Sequence, residues 1–299
     1  MASEFYKIPQ APMLTDLYLQ ELIEAQVPKP TALGTQARYS DAASCSRAIG
    51  YAALGVEPTD PMDAPGIWVT TLGTHIHEQV QAAIGRAYPG ALFETPTRIG
   101  QDISGSSDGF IPEEDLRYHD PSWEFGNVLY ELKTMGAFAF DKQIGLKRRA
   151  RALGDSEGPK FGAILQAGLN ALGWNELNPE RPVSTLILGS ISMEAVSIQL
   201  AQQAGLDELG RIMAEFVIPH DIWYEPALRE ARRIKDAVSK VNQDFLPVPL
   251  VIDDLSGVET LISPTASRPA WQCTYCKFQS RCIRDGDVFE VPVDIRRDA

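Results

Sequence analysis

The sequence predicts an α/β fold in which a central mixed β-sheet is flanked by helices. Three observations carry that expectation. The runs ALFETPTRI (91–99), ISGSSDGFI (103–111) and NVLYELKTM (127–135) read as strands that follow a helical stretch. A further strand-like run, STLILGSIS (184–192), is set between helical segments. Several remaining segments repeat their apolar residues at the spacing of a helix face.

In chain order, TDLYLQELIEAQ (15–26) reads as an amphipathic helix, and SDAASCSRAIGYAAL (40–54) as a second, capped by Ser40 or Asp41 with Cys45 in its first turns. A proline-rich connector, VEPTDPMDAPG, leads to a third helix, TLGTHIHEQVQAAIGRAY (71–88). The three strands follow, with the polar segment PEEDLRYHDPSWE (112–124) between the second and third. A helix near 136–146, a loop LKRRARALGDSEGPK and a helix FGAILQAGLNALGW (161–174) precede the 184–192 strand, and a long helix runs around 224–244. No internal repeat is present. The tail from 245 is rich in turn residues and ends in WQCTYCKFQSRCIRDG (271–286), a segment better suited to closure by ligands than by a core.

Composition narrows the function classes. A chain of 299 residues, 44% apolar and 22% charged, has enough material for a buried active site. No apolar run reaches the roughly 20 residues that span a bilayer, and MASEFYKIPQ lacks the basic and apolar regions of a signal peptide, so a cytoplasmic location is expected. A net charge of -13 excludes a surface that coats nucleic acid indiscriminately, and any nucleic-acid site must be local. Four cysteines in a reducing compartment are better candidates for metal ligands than for disulfides.

The chemistry-bearing stretch is VLYELKTMG (128–136). Residues i and i+2 of a strand point to one face, so Glu131 and Lys133 project side by side while Leu132 points the other way. Asp108, on a neighbouring strand, adds a second carboxylate, and two convergent carboxylates make a hard oxygen site for magnesium or manganese. Lys133 would supply a compact positive charge to a pentavalent phosphate or orient the attacking water. The alternative is a solvated ion pair on a half-exposed strand, with Asp108 a turn residue before Gly109.

Gly73 with His77, then Gly105 and Asp108, then Glu131 with Lys133, then Gln166, resembles in order and spacing the RecB-like branch of the PD-(D/E)xK nuclease superfamily. The resemblance covers roughly 45–175 and then the C-terminal cysteines. It implies a restriction-endonuclease-like core in which His77, Asp108 and Glu131 bind Mg2+ or Mn2+, the Leu132 carbonyl completes the shell, and Lys133 and Gln166 complete the catalytic set. Two positions depart from the family pattern: Ser107 replaces the proline before Asp108, and Asn170 stands where an aromatic usually follows the glutamine. His75 and His77 would face together on a strand, as a zinc pair, but a helix sets them about 200° apart.

Cys273, Cys276 and Cys282 form C-x2-C-x5-C, and Cys45 is the other cysteine. Structural zinc sites usually come as two close pairs, whereas this one-plus-three layout suits a four-cysteine iron–sulfur cluster; zinc and unliganded thiols remain the alternatives. The layout resembles the iron–sulfur nucleases that include the CRISPR-associated exonuclease family and the AddB-type nuclease domain. That resemblance implies a 4Fe-4S cluster and the division 1–60 (helical segment carrying Cys45), 61–244 (nuclease core) and 245–299 (iron–sulfur lobe). Trp271, Tyr275 and Phe278 would shield the cluster or simply fill a small lobe.

Between the Glu131 strand and the Gln166 helix, Lys142, Lys147, Arg148, Arg149 and Arg151 concentrate within ten residues. They read either as a solvated face or as a lid gripping a DNA backbone. The expected function is metal-dependent DNA hydrolysis by a single-strand-preferring exonuclease, possessing no helicase motif of its own and served by helicase, recombination or CRISPR partners. Recombination, repair, CRISPR spacer processing or a bacteriophage setting follows from the resemblance. The alternatives are a non-catalytic iron–sulfur DNA-binding adaptor and a zinc-dependent hydrolase using His75 and His77.

Overall fold

Two sheets share the helices that cover them. In a computed structural model, the structure describes residues 37–243, 245–252, 254, 258–266, 270–285 and 291–292. The helix expected at 15–26 lies outside the described residues. The chain enters through β1 (Ala37–Arg38) and a 3-10 turn (Tyr39–Asp41), then forms α1 (Ser46–Ala53) and α2 (Ala64–Ala87). Cys45 is the N-cap of α1, with extended φ and ψ, and not a residue of its first turns. Ser40 and Asp41, expected as caps, belong to the preceding 3-10 turn. Helix α2 begins seven residues before its expected start because Asp63 caps it, accepting a hydrogen bond from Gly66 N at 2.9 Å, and Pro65 fits the first turn.

Strands β2 (Thr95–Ile99), β3 (Ile103–Ser107) and β4 (Gly109–Ile111) come next. They do not form the single sheet expected. β3 pairs antiparallel with β2 and parallel with β1, whereas β4 pairs antiparallel with β5 (Asn127–Met135). The change of sheet occurs at Asp108. The polar segment expected as a connector contains α3 (Glu113–His119), whose first turn holds Glu113, Glu114 and Asp115, favourable at the positive end of a helix dipole. The β5 strand occupies the residues expected for it.

After β5 the chain forms α4 (Ala137–Ile144), a short antiparallel hairpin of β6 (Leu146–Lys147) and β7 (Ala152–Leu153), and α5 (Phe161–Leu177). This crossover returns it to β8 (Val183–Ser192), parallel to β5. Helix α6 (Ile198–Ala204) and strand β9 (Met213–Pro219), antiparallel to β8, follow, so the main sheet is mixed, with order β4-β5-β8-β9. Helix α7 (His220–Asn242) then crosses α5 closely; a Cβ at Gly168 would come within 2.7 Å of the Ala227 Cβ. The remaining described elements are β10 (Phe245–Leu246), β11 (Leu250–Ile252), β12 (Glu259–Leu261), α8 (Trp271–Thr274), α9 (Gln279–Asp285) and β13 (Val291–Pro292).

Alternation along β5 divides the core. Val128, Tyr130 and Leu132 pack with Ile111 and Leu116, and with Val80 and Ile84 of α2. Leu129, on the opposite face, packs with Phe110, Ile164, Ala167, Ala171, Trp174, Leu186 and Leu188 under α5. A second core joins the small sheet to α1, α5 and α7 through Tyr39, Ile49, Ile103, Leu169, Ile234 and Val238. Among the described residues, no helix is long and apolar enough to cross a membrane.

Candidate functional site

Glu131 follows Leu129 on the face of β5 that α5 covers, so a carboxylate stands where the strand pattern places an apolar side chain. Its side chain is 2% exposed and accepts three hydrogen bonds. Lys133 Nζ and Gln166 Nε2 donate to Oε1, each at 2.7 Å, and Asn170 Nδ2 donates to Oε2 at 3.4 Å. Lys133 Nζ also donates to Gln166 Oε1 at 3.0 Å, which closes a triangle of Glu131, Lys133 and Gln166. Burial pushes the Glu131 carboxyl up to about 7; the Lys133 ammonium opposes that rise and the Asp108 carboxylate adds to it.

Asp108 occupies the break between β3 and β4. Gly109 is opposite Tyr130 in the β4–β5 ladder, so β4 leaves the edge of β5 beyond that pair. There the Leu132 N–H donates to Asp108 Oδ2 at 2.7 Å, and a side chain takes the place of a strand partner. The other carboxylate oxygen faces His77 Nδ1 of α2 at 3.6 Å. Helix α2 can approach because Gly73 lies against Thr134; a Cβ there would come within 2.8 Å of Thr134 Oγ1. The glycine one turn before His77 therefore sets the distance between helix and strand.

The structure thus brings together His77, Asp108, Glu131, Lys133 and Gln166, which the chain supplies from α2, the β3–β4 junction, β5 and α5. Exposure is graded: Glu131 forms the floor, and Asp108, His77 and Lys133 are 17%, 24% and 34% exposed in their side chains. His75 diverges. It is 65% exposed and its Nδ1 lies 3.2 Å from Glu78, on the same helix as His77, where the two face apart as the helical alternative in the sequence requires. Among the described residues, nothing favours the alternative zinc pair of His75 and His77. Among the described residues, no three His, Cys, Asp or Glu side chains are gathered as a ready-made metal shell.

Three supporting residues, Gln81, Glu94 and Ser106, escaped the sequence reading, and a fourth, Asn170, is named there only as a departure from the family pattern. Gln81, one turn beyond His77, donates to the Asp108 carbonyl and to Glu94 Oε1, each at 3.0 Å. Ser106 Oγ donates to Glu94 Oε2 at 2.9 Å, and Glu94 adopts a left-handed φ of 47°, costly for a residue with a side chain. Asn170, one turn beyond Gln166, donates to Glu131. The signal for Gln81 and Asn170 was helix periodicity, since residues four apart share a face; Glu94 and Ser106 carry none.

The cysteines come from both described ends of the chain. Cys45, Cys273, Cys276 and Cys282 line one cavity together with Tyr51, Pro249 and Pro264. The Cys45 sulfur makes no cap hydrogen bond to α1; burial, and less strongly Cys282 and Cys276, push its thiol up to about 11, and the neighbouring Ala48 and Arg47 amides oppose that rise. Phe278 is buried against Tyr51, with ring centroids 5.3 Å apart. Tyr275, expected to shield the cysteines, is instead exposed, and the Trp271 side chain lies outside the described residues.

The basic segment is not uniformly free, as a lid would require. Arg148 forms a two-pronged ion pair with Asp141, a buried carboxylate of α4, its second prong at 3.0 Å. Lys142 lies 3.7 Å from Glu157 and 5.3 Å from the centre of the Phe138 ring. Lys147, Arg149 and Arg151 are exposed, and among the described residues Arg149 and Arg151 have no ion pair.

No family model matches the chain, and no curated protein matches it. Among solved structures, one described as "Crystal structure of SSO0001" aligns over 91% of this chain and 96% of its own at 16% identity, with a TM-score of 0.44. That likeness is too loose to carry an argument about fold or activity.

Proposed function

We propose that the chain is a metal-dependent nuclease of the RecB-like PD-(D/E)xK type, which hydrolyses DNA phosphodiesters and acts as an exonuclease with preference for single strands. The observation that carries the reading is the convergence of Glu131, Lys133, Gln166, Asp108 and His77, residues spread over 90 positions of sequence. A charged residue as buried as Glu131 costs several kcal/mol and is kept where chemistry needs it.

The donor set suits a hard divalent cation. Asp108 and Glu131 offer carboxylate oxygens, the Leu132 carbonyl a neutral oxygen, and His77 an imidazole nitrogen beside them. A bound Mg2+ or Mn2+ would supply charge neutralisation at the phosphate and a water acidic enough to attack at neutral pH. The chain's own residues do the rest. Lys133 places its ammonium where negative charge grows on the phosphoryl oxygens, and Gln166 and Asn170 hold the Glu131 carboxylate in one orientation. The Leu132 amide does the same for Asp108.

The four thiols line a single cavity, which supports a 4Fe-4S cluster in a lobe built from the Cys45 turn and the C-terminal segment, although among the described residues they are not gathered as a ready-made shell. Such a cluster would close that lobe structurally, since phosphodiester hydrolysis transfers no electrons. Recombination, repair or CRISPR spacer processing, with a helicase or recombination partner, is the setting this reading favours.

The deciding experiment is incubation of purified protein with end-labelled single- and double-stranded DNA in Mg2+ or Mn2+. Metal-dependent shortening of single strands, lost in Lys133→Ala, supports the proposal. Wild-type protein of full iron content that cleaves neither substrate points to the non-catalytic adaptor.

A further inference from the structure

The AFAF segment that opens α4 sends its two phenyl rings in opposite directions. Phe140 is fully buried, whereas Phe138 is 76% exposed. A single exposed aromatic is ordinary by itself, but three features set this one apart. Phe138 lies five residues beyond Lys133, which bounds the distance between their Cα atoms at about 18 Å. Lys142, one turn along α4, holds its ammonium 5.3 Å from the ring centre, and so supports one face and leaves the other open. The ion pair of Arg148 with Asp141 ties the β6–β7 hairpin to the same helix, so the exposed Lys147, Arg149 and Arg151 are carried on the element that presents the ring.

An open aromatic face bordered by cations is the combination that holds an unpaired base and its phosphates, and it tolerates any sequence because every base has a π-face. A duplex offers no such face, since its bases are already stacked on each other. We propose that Phe138 is a stacking platform for an unpaired base of a single-stranded nucleic acid, with Lys142, Arg149 and Arg151 neutralising the adjoining phosphates. The proposal takes its substrate class from the nuclease reading and adds the residue that makes the site selective for single strands. Glu157, 3.7 Å from Lys142, competes for that ammonium, so the aromatic ring and not Lys142 dominates the affinity.

The test measures binding and so does not depend on cleavage. Anisotropy of fluorescein-labelled oligodeoxythymidylate, oligouridylate and a duplex is recorded with Ca2+ in place of Mg2+. Phe138→Ala is expected to weaken the preferred single strand about 5- to 150-fold, the range one base–aromatic stack is worth, and to change duplex affinity less than twofold. Phe138→Trp should restore affinity, with its indole emission quenched on binding, and Phe138→Leu should not. The proposal is overturned if Phe138→Ala binds single strands as wild type does, if single-strand and duplex affinities fall together, or if Phe138→Leu restores affinity as fully as Phe138→Trp. Phe138-dependent binding without hydrolysis in Mg2+ or Mn2+ would sink the nuclease reading and leave the platform standing.

Discussion

Lys133 and Glu131 belong to one face of β5, yet their substitutions test different things. Lys133→Ala removes an exposed-side charge, and a transition-state contact of that kind is worth about 100- to 1,000-fold in rate. Glu131→Ala removes a proposed metal ligand and should cost at least as much. Both variants are expected to keep the wild-type circular dichroism spectrum while single-strand cleavage falls by those factors; near wild-type rates from either would remove β5 from the active site. Gln81 acts at one remove, because it holds the backbone carbonyl of Asp108 and does not touch its carboxylate. Gln81→Ala should therefore raise the Mg2+ concentration giving half-maximal activity by about 10- to 100-fold, the usual effect of losing a residue that orients a metal ligand. Saturating Mg2+ should recover most of kcat, which a general loss of folding would not permit.

At the scale of elements, the hairpin separates the cations that the sequence groups together. Arg148→Ala leaves the buried Asp141 carboxylate without its guanidinium partner, so its expected effect is a lower melting temperature. Arg149→Ala with Arg151→Ala should instead leave melting unchanged and reduce the log–log salt slope of single-strand binding by about 1.4, at about 0.7 per phosphate contact. An unchanged slope would make these arginines an ordinary solvated face. Why the sequence did not separate them is physical: a charge run records composition, and only the fold brings Asp141 beneath one arginine and not its neighbours. The same limit appears elsewhere. β5 was legible because an apolar run bounded by turn residues is a strand signal. The break at Asp108 was hidden because Gly109–Ile111 continues the apolar run, and what ends the strand is a hydrogen bond from Leu132, 24 residues away. β9 was missed because only Ile218 of its seven residues is buried, as befits a strand at the edge of the sheet. The residues that converge around Glu131 could be grouped from the sequence by type and order, and such a grouping does not depend on where the surrounding elements begin and end.

Across the whole molecule, one device ties the turn around Cys45 to α7, and a second, proposed one would join the described ends of the chain to each other. Glu230 and Arg233, both buried, pair through two contacts of 2.7 and 2.8 Å; Glu230 Oε1 also accepts from Ala43 N at 2.8 Å, and Arg233 donates to Ser46 Oγ at 2.7 Å. This clasp fixes the turn on either side of Cys45. Removing one partner of such a pair strands the other charge, so Arg233→Ala should lose about 3–5 kcal/mol in urea unfolding. The second device is the proposed cluster itself. Cys45 and Cys273 lie 228 positions apart, and by the loop-entropy argument for disulfides, applied by analogy, joining them restricts the unfolded chain by about 5 kcal/mol at most. That is comparable with the whole stability of many domains. Cys45→Ser is therefore expected to lose its iron and its absorbance near about 400 nm, and to melt many degrees below wild type. Cys276→Ser should behave the same way, whereas Arg233→Ala, which disturbs the turn but keeps every thiol, should retain part of its iron. Cys45→Ser protein that keeps four irons per chain and the wild-type melting temperature would remove Cys45 from the ligand set. The clasp would then be the stronger tie between the Cys45 turn and the rest of the fold.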